Sequence, residues 1–174
     1  MKKTLILMLA LVLALGAPAA LAEWSGLTSF STYDMEAQPV DESIFSGYDL
    51  TMVNIWATWC GYCVREMPEL AKLKDMLPEN VNLITICDDA SVETELAYNI
   101  LQQTGATNFQ TLIGTQEIYD QFVNQVYAYP TTFFLDSEGN PVGEPLMGVP
   151  DLDDAAGAYY GVIQEVLAML EDAA

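Results

Sequence analysis

The stretch that decides the fold is VNIWATWCGYCVREMPEL, Val53 to Leu70. A largely apolar run leads into two cysteines separated by Gly61 and Tyr62, and a run with helical spacing follows that contains Pro68. Thr51 to Ala57 reads as a continuous strand suited to burial on both faces, as in a parallel sheet. From Cys60 to Met76 the spacing is helical, with Met67, Leu70, Leu73 and Leu77 forming the apolar stripe and Pro78 and Asn80 ending it. The two thiols therefore sit where a strand hands over to a helix. There Cys60 meets unpaired backbone N–H groups and the positive end of the helix dipole, which stabilise its thiolate and lower its pKa. Cys63 lies three residues on, on the same side and one turn deeper. An outer thiolate can attack a substrate disulfide, and an inner thiol can then resolve the mixed disulfide. Pro68 removes a hydrogen bond to the Val64 carbonyl, so a bend is expected about a turn past the thiols, letting the first turn project while the rest packs.

Working outward, Ser25 to Val40 reads as a short hairpin or an added strand. Val81 to Ile86 is a second buried strand and Val92 to Gln103 a helix ended by Gly105. Glu117 to Val126 reads as a shorter helix and Thr131 to Leu135 as a strand. The turn DSEGN, Asp136 to Asn140, then leads to a hairpin partner over Val142 to Met147. Asp151 to Leu170 closes the chain as a helix, amphipathic from Tyr159 onward. A parallel crossover followed by an antiparallel hairpin predicts an α/β fold, a mixed central sheet with helices on both faces. Such sheets place function at the carboxyl ends of their parallel strands, where the cysteine pair lies.

Met1 to Ala22 reads as a removable export leader: Lys2 and Lys3, an apolar run from Leu5 to Leu15 that is short for a bilayer span, and the small residues Ala20 and Ala22. Residues 23–174 then form one domain of ordinary size. An uncleaved anchor is the alternative; after cleavage no stable membrane insertion is expected. The remaining chain sets Arg65, Lys72 and Lys74 against 25 carboxylates, a net charge of −22. This acidic surface repels nucleic acid and anionic lipid, aids solubility and favours encounter with basic partners. Outside the cytosol Cys60 and Cys63 are expected to be oxidised unless something supplies electrons.

The segments WATWCGYCVREMPEL and YPTTFFLDSEGNPVG resemble the thioredoxin superfamily, specifically the exported TlpA/ResA-like thiol-disulfide oxidoreductases, over roughly Thr51 to Leu170. The resemblance implies a thioredoxin fold with an extra amino-terminal strand or hairpin. It implies Cys60 as the exposed nucleophile, Cys63 as the buried resolving thiol, and a cis peptide bond before Pro130 that turns the Tyr129 region toward the sulfurs. Asn54 stands where thioredoxin carries a buried aspartate, and Glu66 stands where ResA-like proteins carry a glutamate. One helical turn from Cys63, Glu66 could take its proton, and burial would raise its pKa. Trp59 is expected to shield the thiols and contact substrate, Trp56 to pack in the core, and Gly61 and Tyr62 to tune the redox potential. No cofactor is implied beyond the redox-active Cys60–Cys63 disulfide. The implied partners are disulfide-containing proteins as substrates and a membrane thiol-electron carrier as donor.

Cys87 ends the second strand at the same rim, either as a third redox thiol or as a small apolar core residue. A zinc site lacks ligands, because the chain has no histidine. A peroxide-reducing enzyme would need a differently placed cysteine. A disulfide oxidase or isomerase remains open, as does a redox-inert binding module. The missing histidine favours a reductant, since strong oxidants of this fold often carry one between the cysteines.

Overall fold

The computed structural model describes residues 24–173; the expected leader, Met1 to Ala22, lies outside them. Strands β1 (Ser31–Tyr33) and β2 (Pro39–Asp41) form a separate antiparallel hairpin. There follow β3 (Leu50–Trp56), α1 (Gly61–Met76), β4 (Val81–Cys87), α2 (Thr94–Thr104), β5 (Gln110–Ile113), α3 (Gln116–Gln121), β6 (Thr131–Leu135), β7 (Leu146–Met147) and α4 (Ala155–Ala173). The central sheet has the order β5-β4-β3-β6-β7. Its β3, β4 and β5 run parallel, β6 is antiparallel to β3, and β7 is antiparallel to β6.

Alternation along the strands builds two cores. Leu50, Met52 and Trp56 of β3, with Leu83 and Cys87 of β4 and Phe134 of β6, pack on α1, α2 and α4. Val53, Ile55, Ile84, Ile86, Phe133 and Leu135 face the other way, onto Ile118 of α3 and the amino-terminal segment through Leu27, Phe30 and Phe45. Every residue of β3 and β4 is buried, which is why both read as largely apolar runs without a regular polar alternation. One buried row on the α1 side is polar instead. Asn54 pairs in register with Thr132 on one flank and Thr85 on the other, and Thr85 pairs with Thr111. The Thr85 and Thr111 hydroxyls bond at 2.8 Å, and the Trp56 indole N–H donates to Thr85 Oγ1 at 3.2 Å.

The structure departs from the sequence expectations in four places. Strand β5 was not anticipated: it is four residues long, half polar, and begins exposed at Gln110, so it lacks the apolar run that marks β3 and β4. The return strand expected over Val142–Met147 shrinks to Leu146–Met147, because Gly143 takes a positive φ of 72° and Pro145 has no N–H for a ladder. The third helix stops at Gln121, and a 3-10 turn over Val123–Gln125 replaces its second half. The last helix begins at Ala155 rather than Asp151. Asp151 instead accepts the N–H groups of Asp153 and Asp154, and Asp154 Oδ1 caps the helix by accepting from the Gly157 N–H at 3.1 Å.

Candidate redox site

Cys60 is the cap residue of α1, with extended backbone angles, and Cys63 lies in the first turn. Their sulfurs are joined in a disulfide. Cys60 Sγ also accepts the backbone N–H of Cys63 at 3.2 Å, so the start of the helix directs a donor at the outer sulfur. Cys63 is wholly buried, whereas Cys60 keeps 6% of its surface open. The expectation of an exposed Cys60 is thus corrected to a narrow opening in the oxidised state, because both cysteines belong to the core on the α1 face of the sheet. α1 continues unbroken through Pro68, which lies on its exposed side.

Three loops meet at this rim. Trp59 is 70% exposed and stands edge-on to the Tyr129 ring, with centroids 5.4 Å apart. Gly61 and Tyr62 are exposed, and Gly61 faces open space. The Tyr129–Pro130 peptide bond is cis, and Pro130 is buried. The loop after β4 ties the other two together. Asp88 Oδ2 accepts from the Tyr129 hydroxyl at 2.6 Å, while Asp89 accepts the Thr58 N–H at 2.9 Å and its hydroxyl at 2.6 Å. Burial, then the bond to Asp88, pushes the Tyr129 hydroxyl well above its usual value, so it remains a donor. Gly114 lets this loop approach: a Cβ there would lie 2.7 Å from the Asp88 carbonyl oxygen.

Beneath the thiols lies Glu66, with 2% of its surface exposed. Asn54 Nδ2 donates to its Oε1 at 3.0 Å, and the Tyr159 hydroxyl donates to its Oε2 at 3.0 Å. Burial raises its pKa to about 7 against the pull of these two donors. Cys87 is fully buried and its thiol donates to Asp89 Oδ1 at 3.4 Å; burial first, and the Asp89 charge second, push that thiol far up. Its burial in the strand core matches the expectation of a small apolar core residue. Trp56 is likewise core.

The predicted residues Cys60, Cys63, Glu66, Trp59, Gly61, Tyr62, Tyr129 and Pro130 thus gather along one rim and the helix beneath it. Sequence reasoning missed Tyr159 as a partner of Glu66, Thr132 as a partner of Asn54 and Tyr159, and Thr58, Asp88 and Asp89 as braces. Matched polar positions inside apolar strands were the available signal for Thr132. Nothing local marks Tyr159, which is 93 residues from Glu66.

The AhpC/TSA family matches residues 26–140, from the amino-terminal segment through the turn after β6. The chain belongs to that family. Among curated relatives it is 30% identical over 88 residues to the thioredoxin-like protein YneN of Bacillus subtilis, covering 51% of each chain. It is 25% identical over 125 residues to the thiol-disulfide oxidoreductase ResA of the same organism, covering 71% of this chain and 66% of ResA. The chain therefore spans between half and two thirds of the length of these relatives. Among solved structures, the putative thiol:disulfide interchange protein DsbE from Chlorobium tepidum superposes with a TM-score of 0.66 at 21% identity, covering 87% of this chain and 99% of that one. A secreted Mycobacterium tuberculosis disulfide oxidoreductase gives 0.59 at 18% identity, over 77% and 96%. Both likenesses establish the thioredoxin fold, to which β1 and β2 add the amino-terminal hairpin.

Proposed function

We propose that the chain is an extracytoplasmic thiol-disulfide oxidoreductase that reduces disulfides in exported proteins, cytochrome c maturation clients being one class consistent with the family. The observation that carries this reading is the disulfide at the start of α1, with Cys60 keeping a narrow opening to solvent and Cys63 wholly buried one turn above a carboxyl group whose pKa is about 7. In the reduced protein, the Cys60 thiolate attacks one sulfur of a client disulfide; that S–S bond breaks and the client's other sulfur leaves as a thiolate. Glu66 then takes the Cys63 proton. The Cys63 thiolate attacks Cys60 Sγ, the mixed disulfide breaks, and the client's second thiolate departs, leaving Cys60–Cys63 oxidised and the client reduced by two electrons. A group titrating near 7 can accept this proton and return it when the pair is re-reduced. Re-reduction requires an external dithiol, which we assign to a membrane thiol-electron carrier. Trp59, Tyr62 and Tyr129 supply the aromatic collar against which a client segment would lie, and Gly61 and Tyr62 shape the field around the outer thiolate.

Export fits the leader read in Met1 to Ala22 and the use of a disulfide as the resting state. Among the described residues no helix is long and apolar enough to cross a membrane.

Equilibration of the pair with glutathione tests the direction of electron flow: the reading requires a potential below the glutathione couple, and a value well above it would reassign the chain as an oxidase or isomerase. Alkylation after mild reduction tests the site itself. One fast thiol, at Cys60, is expected, with Cys63 and Cys87 protected; thiols that all react at the rate of free cysteine would leave a redox-inert binding module.

A further inference from the structure

The hydrogen bonds around Glu66 form a closed ring in which two donor arms diverge from Asn54 and converge on Glu66. Asn54 Nδ2 donates to Glu66 Oε1 at 3.0 Å and to Thr132 Oγ1 at 3.1 Å. Thr132 Oγ1 donates to the Tyr159 hydroxyl at 3.3 Å, and that hydroxyl donates to Glu66 Oε2 at 3.0 Å. All four side chains are buried, and they come from four elements: β3, β6, α4 and α1. Both arms of the ring end on the carboxylate, as they should when it is ionised and can only accept. We propose that Tyr159 is a positioning residue that, with Thr132 behind it, orients the Glu66 carboxylate and fixes the pH at which Glu66 exchanges its proton. The assignment rests on the reading of Glu66 as the proton partner of Cys63.

The ring also accommodates the protonated acid. A hydroxyl both donates and accepts, so when Glu66 gains a proton its new O–H can donate to the Tyr159 oxygen, while Tyr159 turns its own hydrogen toward Thr132. Asn54 provides a second route. Its Oδ1 is buried and has no partner while its amide nitrogen donates, so rotation of the amide would offer that oxygen to the acid. An aspartate in this place would add a second charge beside Glu66, whereas an asparagine serves both protonation states without titrating. Cys63, one turn away on α1, is held in the disulfide and does not titrate in the oxidised protein. Burial, then the Glu66 charge, holds the Tyr159 hydroxyl far above its usual value, so it does not compete for the proton. The sole ion pair among the described residues, Lys72 with Glu69, does not involve Glu66.

The test is the variant Tyr159→Phe in the full-length oxidised protein, read by the infrared carboxyl band of Glu66, identified as the band absent from Glu66→Gln. Losing a donor to the ionised form raises the midpoint, by about one to two pH units for a hydrogen bond to a charged group. An unchanged or lowered midpoint overturns the proposal, and a merely structural role for Tyr159 would lower thermal stability without moving the band. If Tyr159→Phe does not fold, Thr132→Val carries the test: a smaller rise is the expected result and no rise overturns it. Failure of the underlying reading is seen separately, as wild type and Glu66→Gln reducing disulfides with the same pH profile while the carboxyl band still reports on Tyr159.

Discussion

Glu66 carries a thermodynamic consequence apart from its place in any reaction. Its pKa in the folded protein, about 7, lies above its ordinary value of 4.5, so the fold binds the acid's proton more tightly than the unfolded chain does. The stability this contributes is complete below pH 4.5 and is lost as the pH climbs through 7. Glu66→Gln, which has no charge to bury, should therefore be more stable than wild type at pH 8, by on the order of 3 kcal/mol. The difference should vanish near pH 4. Chemical denaturation of both proteins across that range checks it, and a gap that stays constant with pH would show that the carboxyl group titrates normally. The cysteines are legible in the sequence from their place where a strand meets a helix, and Glu66 from the family resemblance, with its spacing of one turn from Cys63 in support. Tyr159 was not, because its position depends on how α4 lies across α1.

At the scale of elements, the site depends on how closely three loops approach. β4 ends in Cys87, and the two residues after it reach opposite ways, Asp88 to Tyr129 and Asp89 to Thr58. The end of β5 presses against them, and Gly114 makes that possible: an added Cβ would lie 2.8 Å from the Cys87 carbonyl oxygen and equally near Asp88 Cα. These are backbone atoms and cannot turn aside as a side chain would. Gly114→Ala should lower stability by about 1–3 kcal/mol, the usual cost of overpacking, and should slow disulfide reduction by loosening the Tyr129 loop. Thermal melting and a turnover assay measure the two effects; an unaffected turnover would mean the brace does not govern the rim. β3, β4 and α1 could be read from apolar runs and helical spacing. β5 could not, since a four-residue edge strand with two polar positions looks like loop until its neighbour pairs with it. The return strand is shorter than the hairpin reading after the DSEGN turn implies, because Gly143 and Pro145 interrupt it.

For the whole molecule, charge dominates. Residues 23–174 set 25 carboxylates against three basic side chains, so long-range encounter depends on the client's charge. Reduction of a basic disulfide peptide should outpace that of an acidic peptide of matched sequence at low ionic strength, by about tenfold or more. The advantage should shrink as added salt shortens the screening length to about 10 Å at 0.1 M. Equal rates at all salt concentrations would show that the acidic shell serves solubility alone. The mixed sheet and its two helical layers were legible because strand and helix order restricts the connections. The partition of the core into two faces was not, because it needs the register between strands.

The buried polar row from Thr132 through Asn54 and Thr85 to Thr111 bears on that register. Were β6 to slide one residue against β3, Thr132 would swing to the opposite face, among Val53 and Ile55, and Phe133 would arrive beneath Glu66. Threonine would then lose its bonds in oil, and a charged oxygen would face a benzene ring. Mispaired sheets are thereby penalised during folding, so the buried carboxyl group of Glu66 and its partners also act as a proofreader of strand alignment.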